Sequence, residues 1–244
     1  MTAQLLLRGM LIGLLASILA FAFAWWAGEP NVSAAIALEE ASSHGHQHGP
    51  SVEPDEEPVS REVQSTIGLF TGIAVYSTAL GGIFALAYAF AQGRTGRLQG
   101  RTLALIVALC GFVALVLVPW LKYPANPPAV GSPDTIGQRT ALYFGMLLIS
   151  VVAMIAACLL THQRRQHHDV WSSALSGAAL YAVIVVLAWI LLPGVDEVPQ
   201  GFPADILFNF RLTSLGINAI VWACLGLGFG YWIEQQRRSS QTLA

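Results

Sequence analysis

Apolar and polar positions along this chain fall into long blocks, not into a short alternation. Six apolar runs are each long enough to cross a bilayer, which takes about 20 residues. They cover 5–27, 66–91, 102–121, 140–161, 171–192 and 212–233. The pattern predicts an all-α, polytopic transmembrane helix bundle of about six spans, forming one membrane domain over 1–244. The first run carries one basic residue, Arg8, and is too long for the apolar stretch of a signal peptide, so it is read as a retained helix.

Three polar segments between the runs are long and Pro-bearing: 28–65, 122–139 and 193–211. The middle one, KYPANPPAVGSPDTIGQR, holds Pro124, Pro127, Pro128 and Pro133. Proline removes a backbone donor and fixes φ, so this stretch is expected to be rigid and non-helical. An arginine (Arg61, Arg139 or Arg211) leads from each long segment into the next span. The remaining connections are short and basic.

Charge then orients the chain. With the N-terminus inside, eight of the twelve Lys and Arg residues fall on the inner side and four on the outer. Of the fourteen acidic residues only Asp169 and Glu234 fall inside. Both termini are therefore expected to be cytoplasmic, beneath an anionic outer face. Composition agrees: 55% of residues are hydrophobic and 11% charged, against about a quarter charged in soluble domains. The net charge of −2 gives no case for nucleic acid. Cys110, Cys158 and Cys224 lie far apart inside apolar runs and are read as small buried hydrophobes.

Packing signals accompany the spans. Gly9/Gly13, Gly68/Gly72 and Gly226/Gly230 have the small-x-x-x-small spacing that lets helix backbones approach closely. No Asp, Glu, Lys, Arg or His lies in the middle of a span. The few polar groups at depth, among them Tyr76, Ser77, Tyr143, Ser150, Tyr181 and Asn218, are expected to join helices.

Candidate chemistry lies in the outer segments. His44, His46 and His48 share one side of an extended chain, where their imidazoles can converge on a divalent cation. Glu39, Glu40, Glu53, Asp55, Glu56 and Glu57 surround them. Asn126 and Asp134 in the second segment, with Asp196 and Glu197 in the third, offer oxygen ligands for an ion vestibule. Alternatively, Lys122 and Arg139 pair with these acids and only stiffen the segments. His162, His167, His168 and Asp169, beside Arg164 and Arg165, read best as a solvated basic turn. No phosphate-binding G-x-x-x-x-G-K-[ST] loop, nucleophile–base pair or in-span carboxylate pair is present, so the chain reads as a non-enzyme with no cofactor.

Three stretches carry a resemblance. They are Gly28-Glu29-Pro30 with AAIALEE from Ala34; LKYPANPPAVG from Leu121 with Asp134-Thr135-Ile136; and Val195-Asp196-Glu197-Val198-Pro199 with Phe202-Pro203. Together the chain resembles the CbtA family of cobalt transporter subunits over nearly its whole length. The resemblance implies a multi-pass protein of the bacterial inner membrane with Co2+ as cargo, supplying cobalamin synthesis. It also implies a small single-span, His-bearing partner of the CbtB type. Nickel, zinc or a corrinoid as cargo, or a non-transporting metal scaffold, stay open.

Overall fold

A computed structural model describes residues 2–44, 59–95 and 98–242, with side chains from 42–44 and 240–242 left aside. Six helices are long and apolar enough to span a membrane: α1 (Thr2–Ala41), α2 (Arg61–Ala91), α3 (Gly100–Lys122), α4 (Pro133–Arg164), α5 (Val170–Leu191) and α6 (Ala204–Ser239). No strand occurs among the described residues. Each expected run coincides with one of these helices, the fifth overshooting its helix by one residue at Leu192.

The helices overrun the expected spans at the polar ends, and this corrects the segment boundaries. The first helix continues through Glu29–His44. The stretch expected to be wholly non-helical is irregular only to Ser132; Pro133–Thr135 form a 3-10 turn and α-helix follows from Ile136. Here proline starts a helix. Ser132 caps the turn, accepting from the Asp134 amide at 3.3 Å, and Pro133 stands at the first position, where no amide donor is needed. Arg61 and Arg211 likewise lie within helices, not before them.

Two prolines inside helices explain two wide turns. Ala24–Gly28 and Val113–Leu117 are π-helical, and each leads almost directly into a proline, Pro30 and Pro119. A proline ring clashes with the carbonyl four residues back and supplies no amide donor. The residue before each proline, Glu29 or Val118, donates instead to the carbonyl five back, on Ala24 or Val113. The widened turn makes room for the ring and lets the helix continue.

The chain divides into two compact units. One comprises Met1–Ala85, Ala125–Gly131 and Val198–Leu225. Here α1 packs on α2 at backbone distance: a Cβ on Gly9 would stand 2.2 Å from the Gly81 carbonyl oxygen, and one on Gly13 would stand 2.1 Å from that of Ser77. Phe84 meets Trp222 of α6 edge-on, with centroids 6.3 Å apart. Gly72, by contrast, has nothing within 4 Å of an added Cβ, so the Gly68/Gly72 spacing does not serve helix contact here.

The other unit comprises Leu86–Pro124, Ser132–Glu197 and Gly226–Ala244. Val118, Tyr123, Met146 and Ala188 form its core, flanked by Leu142, Ile149, Tyr181 and Val185. Gly226 lies close against α3, where a Cβ would stand 2.7 Å from that of Ala108. Gly177 does the same on α4: an added Cβ would meet Thr161 Oγ1 at 2.0 Å.

Candidate functional site

In the second unit the polar segments are tied to one another by side chains of the middle stretch. Lys122 Nζ donates to the Trp189 and Leu192 carbonyls, both at 3.0 Å. Those oxygens lie at the end of α5, where carbonyls lack intrahelical donors and a cation is favoured. Tyr123 OH donates to the Pro193 carbonyl at 2.8 Å. Glu197 closes the arrangement: its Oε2 accepts from the Ser132 amide at 2.9 Å and lies 3.3 Å from Arg139 Nε. The same guanidinium donates to the Ser132 carbonyl at 3.0 Å. The Thr135 hydroxyl first, then the Ser132 amide and Arg139, hold the Glu197 carboxyl below the usual carboxylate range.

In the first unit the other two arginines make comparable ties. Arg211 donates to Asn126 Oδ1 at 2.8 Å, and Arg61 pairs with Glu29. Asn126 leads into a tight turn in which the Val130 amide reaches the Pro127 carbonyl at 3.3 Å. Pro128 and Ala129 are its central residues. Ala129 has φ +65°, the left-handed conformation that the third position of a type II turn demands and that usually selects glycine.

The alternative in which basic residues stiffen the segments is thus present in detail. Arg139 takes Glu197, whereas Lys122 takes backbone carbonyls and not a carboxylate. Asn126 and Glu197 are half-buried and engaged by arginines; Asp134 and Asp196 are exposed. Asp134, Asp196 and Glu197 belong to one loop cluster of the second unit, and Asn126 belongs to the first. His44 ends a described helix, but its side chain, and all of His46 and His48, lie outside the described residues. Among the described residues no three His, Cys, Asp or Glu side chains stand close enough to hold a metal ion. Asp169 is a helix cap, accepting from the Ser172 amide at 3.0 Å, beside exposed His162, His167 and His168. That is the solvated basic turn expected.

The model of a family described as "Probable cobalt transporter subunit (CbtA)" matches residues 2–234. The chain belongs to the CbtA family. No curated protein and no solved structure matches it. The match reaches into all six helices and takes in the three proline-bearing segments, so this is a multi-pass membrane protein of a cobalt transporter family, named there as a subunit.

Within this CbtA chain two pairs of the polar groups at depth join helices as expected, whereas the buried Ser77 hydroxyl has no hydrogen-bond partner among the described residues. Tyr76 OH donates to Asn218 Oδ1 at 2.8 Å in the first unit, and Ser150 and Tyr181 share a hydrogen bond of 2.8 Å in the second. The ties made by Lys122 and Tyr123 have no local signal in the sequence, because they depend on which carbonyls a distant helix end exposes.

Proposed function

We propose that this chain is the membrane subunit of a Co2+ uptake system in the bacterial inner membrane, supplying cobalamin synthesis. The observation that carries the reading is the family match across residues 2–234, over six helices of spanning length. Both termini face the cytoplasm in this reading, as the excess of basic residues on that side supports. The long segments then face outward, with most of the acidic residues.

Capture falls to His44, His46 and His48, as neutral imidazoles that bind a transition metal and release it below about pH 6.5. The exposed carboxylates of Asp134 and Asp196 attract the ion in the second unit, with Glu197 fixing the turn that carries Asp134. Asn126 adds an amide oxygen in the first unit, set by Arg211. A small single-span, His-bearing CbtB-type subunit completes the system. These donors favour no single metal among cobalt, nickel and zinc. Selectivity is therefore read directly: cells making the chain and its partner accumulate labelled cobalt, and unlabelled nickel or zinc in excess competes poorly. Accumulation equal to that of cells lacking both proteins rejects the reading, and equal competition by nickel or zinc rejects its cargo.

A further inference from the structure

Three basic residues gather where α3 begins and α6 ends. Arg101 is the second residue of α3, and Arg237 and Arg238 stand in the last turn of α6. Glycine brings the two helices together there: a Cβ on Gly230 would stand 3.3 Å from Arg101 Cγ and 3.4 Å from its Cα. Between them, within the second unit, lies a cavity of about 410 Å3 lined by Arg101, Tyr231, Glu234, Gln235, Arg238 and Ser239. Glu234 Oε1 accepts from Arg238 Nε at 3.3 Å. Arg101 has no ion pair among the described residues. Tyr231 OH accepts from Gln235 Nε2 at 2.9 Å and keeps its own proton to donate. Two guanidiniums against one carboxylate give the lining a net charge of +1, the complement of one phosphodiester. A guanidinium meets phosphate oxygens with a planar pair of N–H donors.

The surface that continues from the cavity is apolar. Leu105 and Leu109 follow Arg101 at steps of four on α3, and Leu227 precedes Tyr231 by four on α6, so each shares the face of a lining residue. All three leucines are exposed. The two tracks adjoin, since a Cβ on Gly226 would stand 3.5 Å from Leu105 Cδ2. Both belong to helices of spanning length, where such a surface meets acyl chains.

We propose that this cleft is a site for an anionic phospholipid. Its phosphate lies between Arg101 and Arg238, and one acyl chain runs along Leu105, Leu109 and Leu227. Basic pockets between spanning helices hold such headgroups. Tyr231 suits the boundary between the two parts, as an amphipathic ring at headgroup level. A soluble phosphate would use the arginines and leave the leucines idle, so the continuity of polar cavity and apolar track favours the lipid. With the termini inside, the site faces the inner leaflet. It stands whatever the cargo, because it uses no residue of the proposed ion path.

The test uses the full-length protein, stripped of lipid in a neutral detergent and given dioleoyl phosphatidylglycerol or dioleoyl phosphatidylcholine. Native mass spectrometry reads the lipid retained by each chain. The phosphatidylglycerol is expected to stay bound where the phosphatidylcholine is lost, and excess inorganic phosphate should not displace it. Arg101→Gln and Arg238→Gln should each weaken retention about fivefold, the worth of one basic residue beside anionic lipid. Glu234→Gln removes the opposing charge and should strengthen it. Arg165→Gln, on the exposed turn between α4 and α5, should leave it unchanged. The comparison of the two lipids on the unaltered chain needs no variant to fold. Equal retention of both lipids, unchanged retention in Arg101→Gln and Arg238→Gln, or weaker retention in Glu234→Gln overturns the site. Displacement by inorganic phosphate overturns the lipid as its occupant.

Discussion

Single residues hold the polar ends together, and Glu197 is the one whose charge can be set from outside. Its carboxyl is held below the ordinary range by Thr135, Ser132 and Arg139. A lowered folded value means that its contribution is complete above the ordinary carboxylate pKa and is lost as pH falls through the folded value. Protection of the Ser132 amide from hydrogen exchange should therefore persist through mild acid and fail only below the usual carboxylate range. Glu197→Gln should weaken that protection and remove its pH dependence. Ala129 offers a second check. A β-branched residue is poorly tolerated at φ +65°, so Ala129→Val should destabilise the protein by about 1–2 kcal/mol, whereas Ala129→Gly should be nearly neutral. At depth, Tyr76→Phe leaves Asn218 Oδ1 without its donor and should cost about 0.6 kcal/mol, the average for polar contacts between membrane helices.

Elements show where sequence reasoning was sufficient and where it was not. Six runs of apolar residues defined six helices because a backbone in lipid must satisfy its own hydrogen bonds, which leaves the helix as the local answer. Gly9 and Gly13 were legible as a packing face because small residues four apart leave a groove that another backbone can fill. Proline cuts both ways. Its ring chemistry leads one to expect a breaker at Pro133, yet Ser132-Pro133-Asp134 is a helix start, with cap, first-position proline and acidic first turn in order. The π-turns before Pro30 and Pro119 had the same cue available. They decide what faces what: relaxing the turn at Val113–Leu117 to α geometry would rotate everything after it by about 100°. Pro119→Ala, which removes the need for the wide turn, should therefore carry Lys122 away from the Trp189 and Leu192 carbonyls. Faster exchange at the end of α5 would report it. Backbone contact gives the largest stability effect at this scale: Gly13→Val drives side-chain atoms into Ser77 and should cost about 1–3 kcal/mol or more.

The whole molecule is a membrane protein of the CbtA family with six helices of spanning length among the described residues, polar segments tied by arginines, and spans whose central residues carry no formal charge. Its candidate ligands were legible only as residue types. Spacing groups three histidines along the sequence, but which acid an arginine would occupy depends on contacts across 32 residues, as for Arg61 with Glu29, and more. Transport is the claim on which the account stands. Purified chain and its partner, reconstituted together in sealed liposomes holding a cobalt-sensitive dye, measure it most directly. The account predicts that external cobalt reaches the dye, and that liposomes without the proteins show no such signal. Cobalt that binds to the protein-bearing liposomes without ever reaching the dye would contradict it, and would make this chain a metal scaffold and not a path.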